Sequence, residues 1–398
     1  MATDKPSRFD NVDWEAVTDE SDRALSTNLL GTLLCVVPLI ALLVYDLVAL
    51  GQYDDTFAFV GIGYDVTQLD WLFALSLILF VFYALLPLYQ NPRITRYYWR
   101  EFKRNRPAVV SLAFLTFVFV VGLLGPIFVS QPEIDLIAQY QPPIGMSVQN
   151  TYPIQCVGEV TSGANGQICQ GSLAHPLGTD SRGRDILVML IYGMQVTVKI
   201  AFITSLIVIT IGTAVGTVAA YSGGMIDEVL MRYVDVQQSF PTFIAYLLIL
   251  YAYGGGLFLF IVLFGTFAWE GTARYVRSNA LTKSEDEFMK SAELTGASTY
   301  HIITRHLIPN TASSIITILT LLVPGFILAE AQLAFLGLGD PTAPSWGQLL
   351  STGRDALGYA PWITLMPGFL IFLTILAFNF LGDAVLDALN PEAQAESE

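Results

Sequence analysis

Few side chains in this 398-residue chain are suited to chemistry, and their spacing narrows what they could do. The three histidines, His175, His301 and His306, do not show metal-ligand spacing, and no HExxH or CxxC pair occurs. His301 and His306, in a basic stretch, read as packing or contact residues. No Gly-rich run ends in Gly-Lys-Ser/Thr, so the loop whose amides cradle nucleotide phosphates is missing. Five carboxylates, Asp46, Glu270, Glu330, Asp383 and Asp387, fall in or beside apolar runs. An acid within hydrocarbon marks an ion or proton path when it faces a cavity. Four of them lie near the ends of their runs, where water is close. Glu330 lies deepest and is the candidate pathway residue, with a structural polar contact as the alternative. Cys156 and Cys169 share a polar segment. In an external compartment they can close a disulfide loop, worth about 3 kcal/mol in the chain-entropy picture, or they remain free thiols. Cys35 reads as a small apolar residue. No catalytic set emerges, so we expect a chain that is not an enzyme and that binds no metal or cofactor of its own.

The elements that must position these residues follow from composition. With 54% hydrophobic and 13% charged residues and a mean hydropathy of +0.56, the chain is an integral membrane protein. An excess of 34 Asp and Glu over 19 Lys and Arg excludes a nucleic-acid binder, which needs a basic face. Runs of about 20 apolar residues predict an all-α polytopic fold of about eight spans. The predicted spans are Asn28–Leu50, Leu69–Tyr89, Ala108–Val129, Val196–Tyr221, Phe240–Tyr253, Leu257–Arg274, Ser313–Leu336 and Trp362–Leu386. Pro38 and Pro126 should kink or end their spans, and Gly212 with Gly216 forms a small-xxx-small step for close helix approach. Residues 1–26 are acidic and lack the basic, then apolar, pattern of a secretory signal.

Orientation follows from the basic links. Arg93, Arg96, Arg100, Lys103, Arg104 and Arg106 crowd the second link, and Arg274, Arg277, Lys283, Lys290 and Arg305 crowd the sixth. Both links, and both termini, are thereby expected in the cytoplasm of a cell-membrane protein. The expected organisation is an acidic tail (1–26), a two-span extension with its basic link (27–107), a core (108–390) and a second acidic tail (391–398). The core contains an outer loop (130–185) and a cytoplasmic loop (275–312).

The cytoplasmic loop is the most informative stretch. Helix formers run over Glu285–Thr295 with an apolar stripe at Phe288, Ala292 and Thr295; Gly296 is a helix stop, and Ser298 or Thr299 can cap a second helix. That helix carries Ile302, Ile303 and Leu307 and is expected to stop at Pro309. Such a helix–turn–helix is either an amphipathic linker resting on lipid or a knob that docks into a groove on a cytoplasmic partner.

Here the sequence resembles the permease subunits of ABC importers, whose cytoplasmic loop carries E-A-A, three residues, Gly, nine residues and I-x-L-P. Lys290-Ser291-Ala292, Gly296 and His306-Leu307-Ile308-Pro309 sit in that register, with Lys290, Ser291, His306 and Ile308 as departures. Glu287 lies one turn before the missing Glu. HPLGTDSRGRD (175–185), SGGMIDEVLMRYVD (222–235), LAEAQLAFLGLG (328–339), PSWGQLL (344–350) and FNFLGDAVLDALNP (378–391) look like the C-type permease of dipeptide, oligopeptide and nickel importers.

The resemblance implies a coupling loop, including Glu287, Lys290, Ser291, Ala292, Gly296, Arg305, His306 and Pro309, that enters a cleft of an ATPase subunit. It implies a second homologous permease, two ATPase subunits holding ATP and Mg, an external solute-binding protein and surrounding lipid as partners. It also marks His175, Gly178, Thr179, Asp180, Gly183, Arg184 and Asp185 as an outer signature. The charged members of that signature, with Arg182, either pair locally or meet the docked binding protein. The expected function is half of a translocation path for peptides or a related solute such as nickel complexes. An ion-gradient-driven secondary transporter and a non-transporting membrane scaffold are the rivals.

Overall fold

The computed structural model describes residues 27–50, 56, 66–163 and 166–389. The acidic tails expected at 1–26 and 391–398 lie outside the described residues. The chain divides into two compact units, 1–95 and 96–398. The first holds α1 (Thr27–Ala49) and α2 (Gln68–Gln90). Helix α1 runs through Pro38 without ending. Thr67 and Asp70 close a reciprocal capping box at the start of α2. Asp46 is bound from two directions, by the Thr56 hydroxyl at 2.6 Å and the Trp71 indole N–H at 3.4 Å. It therefore ties the two helices of this unit together. Helix α3 (Pro92–Phe102) runs across the division between the units.

The second unit comprises α4 (Arg106–Phe128), a segment at 130–185, α5 (Ile186–Ser222), α6 (Gly224–Ser239), α7 (Thr242–Tyr253), α8 (Leu257–Phe267) and α9 (Glu270–Ser284). After these come α10 (Glu287–Leu294), α11 (Thr299–Leu338), α12 (Trp346–Gly353) and α13 (Trp362–Leu389). Helix α5 is the axis of the unit and packs against α4, α8, α9 and α11. Its 37 residues span about 55 Å, well beyond the ~30 Å hydrocarbon layer. It starts ten residues before the predicted Val196 because Asp185 caps it, accepting from the amides of Leu187 at 2.8 Å and Val188 at 3.3 Å. Gly212 and Gly216 face α9. A Cβ on Gly212 would stand 2.8 Å from the Thr272 side chain, and one on Gly216 would stand 2.5 Å from the Ala273 carbonyl. The step predicted from the sequence is thus the close contact between α5 and α9.

About eight spans is consistent with the described residues, which contain seven helices long and apolar enough to cross a membrane and, at the predicted fifth span, the shorter α7 of 12 residues. Pro241 and the Gly254-Gly255-Gly256 run confine α7 to about 18 Å. Two expectations are corrected. The sixth span does not end at Arg274: the chain breaks at Ala268–Trp269 and continues as α9 to Ser284. Nor does Pro309 stop a helix. The second helix of the loop runs straight into the seventh span as α11. Pro309 offers no N–H to the Arg305 carbonyl, and the helix widens over Ile303–Leu307, where the Ile308 amide reaches back to the Ile303 carbonyl. The Asn310 side chain then donates to the His306 carbonyl at 2.7 Å. Within 275–312 the backbone is helical apart from two short turns flanking α10.

The helical architecture carries one addition. Segment 130–185 contains a three-stranded antiparallel sheet of β1 (Ser147–Gln149), β2 (Val160–Gly163) and β3 (Gly166–Gln170), ordered β1-β3-β2. Strands of three to five residues give too little alternation to be read against an apolar background.

Candidate functional site

Two places gather the residues singled out from the sequence. The first is the excursion between α9 and α11. Helix α10 ends in a Schellman turn: the Gly296 amide donates to the Glu293 carbonyl at 2.9 Å, and the Ala297 amide donates to the Ala292 carbonyl at 3.2 Å. Gly296 has φ of +83°, a conformation a Cβ resists. Ser298 then caps α11 by accepting from the His301 amide at 3.3 Å.

The pair is anchored by Met289, Ile302 and Leu307, all buried, which pack with Ala220 of α5 and Ala280 of α9. Of the predicted stripe only Ala292 faces inward, with Met289 beside it, whereas Phe288 and Thr295 are exposed. The chain's two ends of approach, α9 and α11, set which face of α10 turns in. Glu287, Lys290, Ser291, Arg305 and Pro309 are exposed and His306 is half-buried. Two large apolar side chains project outward, Leu294 at 89% and Tyr300 at 78% exposed. The Tyr221 hydroxyl at the end of α5 reaches Glu293 at 3.2 Å.

The second place is the signature 175–185, which the fold turns inward on itself. Asp180 is fully buried. Its carboxylate accepts from the Arg182 and Arg184 amides at 2.8 and 2.9 Å and pairs with the Arg184 guanidinium at 2.7 Å. Thr179 donates to the Ala138 carbonyl at 2.6 Å, accepts from the Gln141 amide at 2.8 Å, and its carbonyl accepts from the Trp362 indole at 3.1 Å. His175 lies 2.9 Å from Asp185, the cap of α5. Gly178 and Gly183 both have positive φ, and a Cβ on Gly183 would overlap the Asp135 carbonyl at 1.6 Å. Asp180, Arg184 and Thr179 thus hold the entry to α5 and are not available to a docking protein; Arg182 alone among the charged members is exposed. Cys156 and Cys169 form a disulfide with Cα atoms 5.7 Å apart, Cys169 lying within β3.

Glu330 is 9% exposed and lies beside Ser345, the cap of α12. It sits inside this chain's own core and does not line an open surface. The acid that the sequence reading missed is Asp340. It accepts from the Leu257 amide at 3.1 Å, capping α8, and from the Thr342 hydroxyl and amide at 2.6 and 2.9 Å. Burial pushes its carboxyl up, but these donors outweigh burial and hold it below its ordinary value. Gln141 was also missed. Its side chain bridges the Gln155 carbonyl at 2.7 Å and the Val157 amide at 3.0 Å. Neither has a local sequence signal, because their partners lie far away along the chain or on irregular backbone. Asp227 of α6 and Arg277 of α9 form a two-pronged pair at 2.5 Å. The Arg277 guanidinium keeps the Asp227 carboxyl below its usual range. Among the described residues no group of His, Cys, Asp and Glu is placed to hold a metal.

Residues 212–394 match the family described as the binding-protein-dependent transport system inner membrane component. Residues 94–143 match the N-terminal TM domain of oligopeptide transport permease C. The oligopeptide transport system permease protein OppC of Haemophilus influenzae is 33% identical over 295 residues, covering 74% of this chain and 87% of that protein. The chain belongs to the permease subunits of ABC importers. Dipeptide transport system permease protein DppC of Bacillus subtilis is 35% identical, over 74% of this permease and 84% of its own length. Glutathione transport system permease protein GsiD of Pectobacterium atrosepticum is 31% identical, over 78% and 97%. The permease is therefore a multi-pass membrane component of an importer, and the matched family regions begin at the division between its two units.

Proposed function

We propose that this permease forms half of the translocation path of an ATP-driven peptide importer and that the α10–α11 knob transmits the work of ATP hydrolysis to it. The observation that carries this reading is the build of the knob. It is anchored to α5 and α9 by Met289, Ile302 and Leu307, bent by one positive-φ glycine, and tipped with exposed Leu294 and Tyr300. A rigid apolar tip beside basic links is what a groove on a cytoplasmic partner would receive. Basic residues at 93–106 and 274–305 support cytoplasmic placement of both links and both termini. The dipeptide and oligopeptide permeases named among the relatives support peptides as the solute class. The partners in this reading are a second permease subunit, two ATPase subunits that hold ATP and Mg, and an external solute-binding protein. Exposed Met225, Val229, Val236 and Phe240 along and just beyond α6 supply an apolar stripe for the second permease.

Gly296→Val tests the knob. Nothing lies within 4 Å of a Cβ built there, so the substitution acts through φ alone, at a cost of roughly 1–2 kcal/mol. The expected phenotype is a normal amount of permease in the membrane with ATP hydrolysis no longer stimulated by loaded binding protein. Gly296→Asn, which tolerates positive φ, should keep most of the stimulation. Full stimulation in the Val variant would sink the coupling role.

A further inference from the structure

A single helix reverses the charge character of this chain. Overall net charge is −15, yet six of its 19 Lys and Arg lie between positions 93 and 106, against one carboxylate, Glu101. Helix α3 organises them. Arg96, Arg100 and Lys103 follow one another at i, i+4 and i+7, a single stripe on a helix surface continued into its first turn beyond the end. All three are exposed. None has an ion pair among the described residues; Glu101 is engaged by Arg104 at 2.6 Å.

The flanks of the stripe are aromatic, with Tyr97 and Trp99 43% and 42% exposed. Trp99 is stacked on Phe102 at 5.7 Å, and the Lys103 ammonium sits 5.0 Å from the Trp99 ring. The opposite face is held down: Phe102 is buried with Ala108 of α4 and Ala384 of α13. The basic face is therefore fixed in direction while its charges are left open. In sequence the helix stands between two membrane-crossing helices, Gln68–Gln90 and Arg106–Phe128, so it has no length of chain with which to leave the membrane surface.

Exposed cations flanked by Tyr and Trp are the composition that settles at a headgroup layer. We infer that the Arg96–Arg100–Lys103 face of α3 binds anionic phospholipid headgroups of the inner leaflet and thereby fixes the permease to that surface. This rests on the cytoplasmic placement of the basic links given above. It does not depend on the coupling role of the knob.

The test uses the full-length chain in neutral detergent, with phosphatidylglycerol and phosphatidylcholine offered in competition and bound lipid read by native mass spectrometry. Wild type should prefer phosphatidylglycerol, and the preference should fade as salt rises. Each basic residue at an anionic surface contributes roughly a fivefold factor, so Arg96→Gln/Arg100→Gln/Lys103→Gln should lose about a hundredfold in affinity for phosphatidylglycerol. Arg96→Lys/Arg100→Lys, which keeps the charge, should retain the preference. An unchanged preference in the triple Gln variant, or no preference in wild type, would overturn the inference. So would loss of copurifying ATPase subunits from the triple variant with lipid selection intact, which would assign the face to a protein. A failed Gly296→Val test with the lipid preference present would remove the coupling reading and leave this one standing.

Discussion

The Cys156–Cys169 bridge joins the approach to β2 to the middle of β3, across a sequence separation of 13. Of the sheet only Val148 and Cys169 are buried, both in the cluster that holds Trp346 and Trp362, and the cross-link restricts the unfolded alternatives of the rest of the segment. Replacing both cysteines by serine is expected to cost about 3 kcal/mol locally. Limited proteolysis should then cut within 147–170 much faster, while α5 stays protected because its cap at Asp185 does not involve the bridge. Equal cleavage rates with and without the bridge would show that the sheet holds itself. The charged signature residues teach a related lesson. Asp180 and Arg184 are legible in the sequence as a close pair of opposite charge, but only the buried turn that contains them shows that the Asp180 carboxylate accepts from the Arg184 guanidinium and from two backbone amides at once.

Among the elements, α6 and α9 are joined by a salt bridge that neither helix announces. Asp227 and Arg277 are fifty residues apart, and their side chains remain 19% and 28% exposed. The folded carboxyl of Asp227 lies below its ordinary value because of the Arg277 hydrogen bonds. Its contribution is therefore fully present above the ordinary carboxylate pKa, near 4, and is lost as pH falls through the depressed folded value. Asp227→Asn should destabilise the permease by about 1 kcal/mol at neutral pH, given the partial exposure. The gap from wild type should narrow in thermal melts below about pH 4. A gap that stays constant into acid would show that the pair contributes shape and not charge. Tyr359, packed flat on Tyr152 at 4.2 Å and edge-on to Tyr140 at 5.2 Å, is a second such junction. Its hydroxyl is pushed up to about 12, first by the hydrogen bond with Tyr140, and so stays neutral.

For the molecule as a whole, the two compact units divide at 95/96, and the family matches lie in the second, apart from residues 94 and 95. A chain beginning at Asn91 should accordingly insert in the membrane and retain copurifying ATPase subunits, measured by pull-down at a yield within about twofold of the full chain, a difference of ~0.4 kcal/mol at most. Loss of the partners with the shortened chain still in the membrane would give the first two spans a part in assembly.

Hydrophobic run length determined most of the membrane architecture without further help, because hydrocarbon demands internally bonded helices of about 20 apolar residues wherever the chain crosses it. The Gly296 stop was readable because it acts through its own backbone, and the Gly212–Gly216 step because two small residues one turn apart mark a helix face whatever packs on it; the Asp185 cap, by contrast, shows only in the fold. Where the sequence reading failed, a distant group decided. Pro309 continues a helix because Ile303–Leu307 can widen to absorb the missing N–H. Met289 faces inward in place of Phe288 because α5 and α9 already occupy that side. Glu330 is buried beside Ser345, fifteen residues further along the chain, and Asp340 caps a helix that begins 83 residues earlier. Local pattern specifies which segments become helices, whereas burial and polar satisfaction depend on partners that are neighbours only after the chain has folded.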